Sequence, residues 1–159
     1  MHPPSALRGA AALAVASVAC FAVAGAGAWL TSRGLVDWYP ALRKPPFNPP
    51  DYVFGPVWTA LYAMMAVAAW LVWRKAGTGY PLGLFALQLA LNLAWTALFF
   101  GLRLPGLAFA EILVLWASIA ATVVSFWRVS VPAGALLVPY LLWVGFAAVL
   151  NLAIWRLNP

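Results

Sequence analysis

One acid, Glu111, stands inside the long apolar runs of this 159-residue chain, and an ionisable residue in such a setting is a functional candidate. It lies near the start of the fourth run, with Leu115, Ser118, Thr122 and Ser125 on its side of a helix, so a polar stripe continues from it. No second acid stands near it as a relay, and a pair with Arg103 at the membrane interface is the expected arrangement. Cys20 is the only cysteine and His2 the only histidine. That excludes an intrachain disulfide and leaves no cluster for zinc or an iron–sulfur centre, so no metal site is expected. Haem ligation would fall to His2 alone, in a terminal segment. The chain offers no nucleophile with a neighbouring base, no phosphate-cradling glycine loop and no paired intramembrane carboxylates, which argues against hydrolytic or phosphoryl-transfer chemistry.

Amides and aromatic rings at helical spacing are the other chemically capable groups. Gln88, Asn92, Trp95 and Phe99 follow one another at spacings of four, three and four and share one narrow helix face. Trp58, Tyr62, Met65 and Ala69 repeat the pattern in a second segment, and Tyr140, Trp143, Ala147 and Asn151 in a third. Amides left unpaired in hydrocarbon cost several kcal/mol, so the faces bearing Asn92 and Asn151 should turn inward, where a cavity or a protein group supplies the partner. Each stripe alone reads as ordinary core packing sooner than as a ligand site. Together they point to a shared, aromatic-walled interior. On the opposite side of the Gln88 helix, Ala86, Ala90 and Ala94 form a small-residue stripe, a face for a second copy of the chain or for another of its own helices.

These faces need helices that cross a bilayer. Hydrophobic residues make up 66% of the chain and charged residues 8%, and mean hydropathy is +0.95. A soluble domain devotes about a quarter of its residues to charge. Five apolar runs, near residues 8–30, 53–73, 80–101, 106–127 and 133–155, each approach the roughly 20 residues that span about 30 Å of hydrocarbon. The expected fold is therefore an all-α membrane protein, a single five-helix bundle over residues 1–159. The first run has features of a signal peptide, with Arg8 ahead of it and AGAGA near its end, but its length favours retention as a membrane helix. The formal charge of +6 is spread singly or in pairs between apolar runs, which suits lipid headgroups rather than nucleic acid. Orientation is not legible: Arg8, Arg74, Lys75 and Arg128 face Arg33, Arg43, Lys44, Arg103 and Arg156 across the membrane. Trp29, Trp73, Trp127 and Trp155 fall where interfacial anchors belong.

The segment WYPALRKPPFNPP, residues 38–50, breaks the apolar monotony with five prolines between Pro40 and Pro50. Proline fixes φ and biases the preceding residue toward extended geometry, so a cover of residues 31–52 would be shaped before any ligand arrives. Trp38, Tyr39, Phe47 and Tyr52 offer it flat faces. Arg43 and Lys44 would meet either ligand carboxylates or lipid phosphate.

Together with VFGPVWTALY, QLALNLAWTALFFG and PYLLWVGFAAVLNLAIWRLN, that segment resembles the signature stretches of the translocator protein family, also called tryptophan-rich sensory proteins or peripheral benzodiazepine receptors. The resemblance covers about residues 8–158. It implies a five-helix bundle, commonly a homodimer, that binds porphyrins, haem-related tetrapyrroles, sterols or synthetic benzodiazepine-site ligands under the first loop, with no obligatory cofactor. It implies a ligand site of Trp38, Tyr39, Pro45, Phe47, Trp58, Tyr62, Asn92, Trp95, Trp143, Ala147, Leu150 and Asn151. Arg43 and Lys44 would contact propionates, and Ala86, Ala90 and Ala94 would form the dimer face. Trp58 and Trp143 match tryptophans linked to light-dependent porphyrin degradation in some bacterial members, an enzyme-like alternative to binding or transport. A bacterial envelope membrane is expected rather than the mitochondrial outer membrane. Two departures matter: Phe47 stands where a Trp is frequent, and the stretch Leu150 to Arg156 lacks the Tyr of the sterol-recognition pattern, which argues against cholesterol.

Overall fold

The computed structural model describes residues 6–159, so His2 lies outside the described residues. The chain forms six helices: α1 (Ala6–Leu35), the single turn α2 (Trp38–Ala41), α3 (Asp51–Ala76), α4 (Tyr80–Thr96), α5 (Pro105–Val129) and α6 (Val131–Leu157). A π-helical segment, Ala97–Gly101, continues α4. Five of these helical stretches are long and apolar enough to cross a membrane, and the protein is a multi-pass integral membrane protein. Proline opens α4, α5 and α6 at the first or second position, where its missing N–H leaves no bond unmade. Gly77 ends α3 with φ +66°, a left-handed backbone that costs glycine nothing.

Around the bundle the order of contact is α1, α3, α6, α5, α4 and back to α1. The main core fills the half of the bundle nearer Ala76 and Tyr80, where Met65, Val72, Phe126, Leu137 and Tyr140 are fully buried and Phe85 stacks on Phe126 at 5.7 Å. Close packing there needs small residues. Gly134 lies against Trp127, and a Cβ at Gly134 would come within 2.9 Å of the Trp127 backbone. The helix α1 is the least embedded, with only Cys20 and Gly34 buried. It is pinned near one end by the Trp70 indole N–H, which donates to the Gly9 carbonyl at 2.9 Å, and at the other by Gly34 against Phe100. Cys20 of α1 joins the main core, and the cavity described below lies along α1 beyond it, toward Gly34.

Two expectations are corrected. The first helix runs to Leu35 rather than residue 30, and α2 folds within the connection, so the irregular cover is shorter than residues 31–52. The salt bridge of Arg103 is made not to Glu111 but to Asp37, at 2.9 Å. Arg103 takes a left-handed backbone, φ 59°, in the turn after the π-helical segment, and its guanidinium reaches the α1–α2 junction. Glu111 stays within α5, both carboxylate oxygens buried with no hydrogen-bond partner.

Candidate functional site

A cavity of about 630 Å³ lies between α1, α3, α4 and α6, with Tyr39 of α2 at its upper edge. No α5 residue lines it. The α6 wall is Trp143, Ala147, Leu150, Asn151 and Ile154, one face at helical period. The α3 wall is Asp51, Phe54, Gly55, Trp58, Thr59 and Tyr62. The helix α4 contributes Asn92, Trp95 and Thr96, and the π-helical segment Phe99 and Phe100.

The inner end is closed by a buried hydrogen-bonded chain. The Tyr62 hydroxyl donates to Oδ1 of Asn92 at 2.7 Å, and Nδ2 of Asn92 donates to the Tyr140 hydroxyl at 3.1 Å. All three residues are buried, and the wall stops at this level: Met65, Gln88 and Tyr140, the next residues inward, are core. Nearer the opening, the Trp95 indole N–H donates to Oδ1 of Asn151 at 3.0 Å, and Nδ2 of Asn151 donates to the Pro105 carbonyl at 2.8 Å. The inward amides therefore find their partners in protein, as buried amides must. They hold α3, α4, α5 and α6 at fixed separations around the hollow. Gln88, on the same face as Asn92, has one weak contact, Nε2 to Sδ of Met65 at 4.0 Å, and its Oε1 is unpartnered.

The indoles of Trp58 and Trp143 behave differently. Trp58 packs on Tyr62 at 5.7 Å and edge-on to Tyr140 at 6.2 Å, while Trp143 packs on Phe54 and Phe146 at 5.9 and 5.6 Å. Neither ring N–H donates to a protein group, and both rings are half-buried on the cavity wall. The site thus presents two flat faces with free donors.

The α1 wall runs from Phe21 to Leu35, and its middle is made of small residues, Ala24, Gly25, Gly27 and Ala28. Gly25, Ala28, Ser32 and Leu35 are exposed as well as lining, and so are Gly55 and Thr59 of α3. The cavity therefore opens sideways between α1 and α3, on the flank that meets lipid.

The prolyl segment sits beside the cavity more than over it. Tyr39 lines the wall and is held by its hydroxyl, which donates to Oδ1 of Asn48 at 3.1 Å. Burial, and after it the nearby Asp51 carboxylate, pushes the Tyr39 phenol up to about 12, so it stays neutral. Trp38 stands behind the wall, edge-on to Phe99 at 5.4 Å. Pro45 is buried in the segment, and Phe47 is exposed, edge-on to Phe146 at 6.5 Å. Lys44 places Nζ 4.6 Å from the Tyr39 ring centre, and Arg43 is exposed, its backbone N–H and carbonyl both bound by the Asn158 side chain at 3.0 Å. Trp38, Arg43, Lys44, Pro45 and Phe47 are thus off the wall, while Tyr39, Trp58, Tyr62, Asn92, Trp95, Trp143, Ala147, Leu150 and Asn151 are brought together on it.

Sequence reasoning missed the α1 wall, Asp51, Phe54, Gly55 and Thr59 of α3, Thr96 of α4, Phe100, and Ile154 of α6. A π-helical turn carries an extra residue, marked here by the Leu102 N–H bonding to the Ala97 carbonyl five positions back at 2.8 Å. Phe99 and Phe100 of this segment both line the wall, as Trp95 and Thr96 do one turn earlier. The wall of α1 sets Phe21, Thr31 and Ser32 among glycines and alanines, without the aromatic-and-amide stripe of the other helices. Of the predicted stripe on α4, Ala86 and Ala90 are exposed and Ala94 half-buried, on the side away from the core.

Residues 15–156 match the model of the TspO/MBR family. The chain is 46% identical over 144 residues to the tryptophan-rich protein TspO of Chlorobaculum tepidum, covering 88% of this chain and 91% of that one. It is 46% identical over 127 residues to the translocator protein of Ovis aries, covering 76% and 75%. To the tryptophan-rich sensory protein of Cereibacter sphaeroides it is 43% identical over 140 residues, covering 88% and 87%. The match takes in every wall of the cavity from Phe21 to Ile154, and the chain belongs to the TspO/MBR family.

Proposed function

We propose that the cavity binds a flat, largely apolar ligand carrying a few hydrogen-bonding groups, a porphyrin or related tetrapyrrole or a synthetic benzodiazepine-site ligand, taken up from the bilayer between α1 and α3. One observation carries the reading: Trp58 and Trp143 offer ring faces and unspent N–H donors to a hollow of about 630 Å³. That volume falls within the range of about 300–1,000 Å³ typical of small-molecule sites. The apolar wall with sparse polar groups suits a ligand that already partitions into lipid. The outward position of Ala86, Ala90 and Ala94 supports pairing of two copies through α4, where small residues let backbones approach.

The test is titration of the purified protein with protoporphyrin, followed by quenching of tryptophan fluorescence. Trp143→Ala and Ala147→Phe weaken binding about tenfold or more, the first by removing a stacking face and the second by filling the hollow. Trp155→Ala leaves it unchanged, because Trp155 packs outside the cavity on Gly106 and Phe109. Equal loss in all three variants means partitioning into detergent and not binding.

A second reading, porphyrin photo-oxidation by oxygen in light, is favoured by the placement of both Trp58 and Trp143 on the wall. A product that forms under illumination and disappears in Trp58→Phe and Trp143→Phe supports it. Bleaching that matches free porphyrin removes it.

A further inference from the structure

Among the described residues that line the cavity, Asp51 alone carries a charge. It is the first residue of α3 and is exposed at the rim. Its carboxylate is unpaired: the ion pair between described residues joins Arg103 to Asp37. Lys44 stands over the Tyr39 ring and Arg33 over the Trp29 ring at 4.1 Å; both keep their charge, and neither lines the wall. The carboxylate also acts on its surroundings, since it is one of the groups that keeps the Tyr39 phenol protonated.

A helix N-terminus carries a partial positive charge and would otherwise attract an anion. Asp51 opposes that attraction at the rim, where a ligand too long for the cavity leaves an end beside it. The opposite sign is missing from the wall: neither Arg43 nor Lys44 reaches it. A free carboxylate left beside Asp51 therefore meets a negative charge with no cation on the wall, and an ammonium or a neutral donor meets an acceptor.

We propose that Asp51 selects ligands by the charge of the end that remains at the mouth, favouring neutral or cationic ends and penalising free carboxylates. The proposal rests on the cavity being the ligand site. It names the class within that site: an esterified, amidated or basic amphiphile over a free dicarboxylate.

The experiment compares protoporphyrin with its dimethyl ester in wild type and in Asp51→Asn. The expected result is that Asp51→Asn strengthens binding of the diacid by roughly two- to fivefold, as for a partly exposed charge pair, and leaves the ester unchanged. An ester-to-diacid affinity ratio that is the same in both proteins overturns the proposal. If neither porphyrin binds, the tetrapyrrole reading fails, and the selection is measured with a dansyl-labelled alkylamine and a dansyl-labelled alkylcarboxylate of equal chain length. There Asp51→Asn must weaken the amine relative to the carboxylate. An unchanged ratio again overturns the role of Asp51.

Discussion

The indole N–H of Trp95 and the amide oxygen of Asn151 meet at 3.0 Å across the cavity wall, while the same amide donates to the Pro105 carbonyl at 2.8 Å. One buried side chain thus ties α4, α5 and α6 together at the level where the hollow begins. Asn151→Leu removes both bonds and leaves the part-buried Trp95 indole N–H without a protein partner, a loss of about 1–3 kcal/mol. Trp95→Phe removes one bond and should cost about half as much. Thermal unfolding in detergent checks the order, and identical midpoints for wild type and Asn151→Leu would mean that these bonds do not support the bundle.

Gly34 lies against Phe100, and a Cβ there would approach the Phe100 side chain at 2.9 Å and its backbone oxygen at 3.1 Å. The side chain can turn, but the backbone of the π-helical segment cannot move without disturbing Phe99 and Trp95. Gly34→Ala is expected to lower stability by about 1–3 kcal/mol, as overpacked sites do. Gly25→Ala, which meets nothing within 4 Å, is expected to be neutral. Equal effects of the two substitutions in a thermal shift assay would contradict this packing.

Asn158 donates to the Arg43 carbonyl and accepts from the Arg43 N–H, both at 3.0 Å, so the end of α6 clamps the prolyl segment from 115 residues away. Asn158→Ala should free that segment. Amide hydrogen exchange of residues 42–48 is expected to accelerate about fivefold or more, an opening free energy lower by about 1 kcal/mol. Exchange in α5 should not change. Unaltered exchange at residues 42–48 would show that proline alone holds the segment.

Glu111 has two buried carboxylate oxygens without partners and does not line the cavity. A buried polar group of this kind costs stability, and Glu111→Leu is expected to raise the unfolding midpoint by the equivalent of about 1–3 kcal/mol. Ligand affinity should be unchanged. A variant that loses binding or transport while gaining no stability would restore the acid to a functional role.

The five spans and the aromatic and amide part of the walls on α3, α4 and α6 were legible because periodicity reports faces directly: Trp58 and Tyr62, Asn92 and Trp95, and Trp143, Ala147 and Asn151 sit at helical spacing and converge as that spacing requires. What periodicity cannot report is where a helix departs from 3.6 residues per turn, as the π-helical segment does. Nor does it report pairing between distant segments. The Asn158 clamp on Arg43 and the Arg103–Asp37 bridge join residues 115 and 66 apart, and nothing local in either sequence marks the partner. Glu111 illustrates the same limit: Arg103 lay nearest in sequence, but the turn at Arg103 aims the guanidinium away from α5. The glycines and alanines of α1 carry no chemical signal, and their part in the wall follows from the place of the cavity between Cys20 and Gly34.

The central claim, that a ligand occupies the hollow walled by α3, α4 and α6, is tested most directly by protection of an introduced thiol. In a Cys20→Ser background, Ala147→Cys places a sulfur on the cavity wall and Ala90→Cys places one on the exposed face of α4. Modification by a small methanethiosulfonate reagent is followed with and without saturating protoporphyrin dimethyl ester. The account predicts at least a tenfold slowing at position 147 and none at position 90, a difference of about 1.4 kcal/mol or more in access. Equal rates at position 147 with and without ligand, while binding is seen by fluorescence, would place the ligand outside the cavity and contradict it.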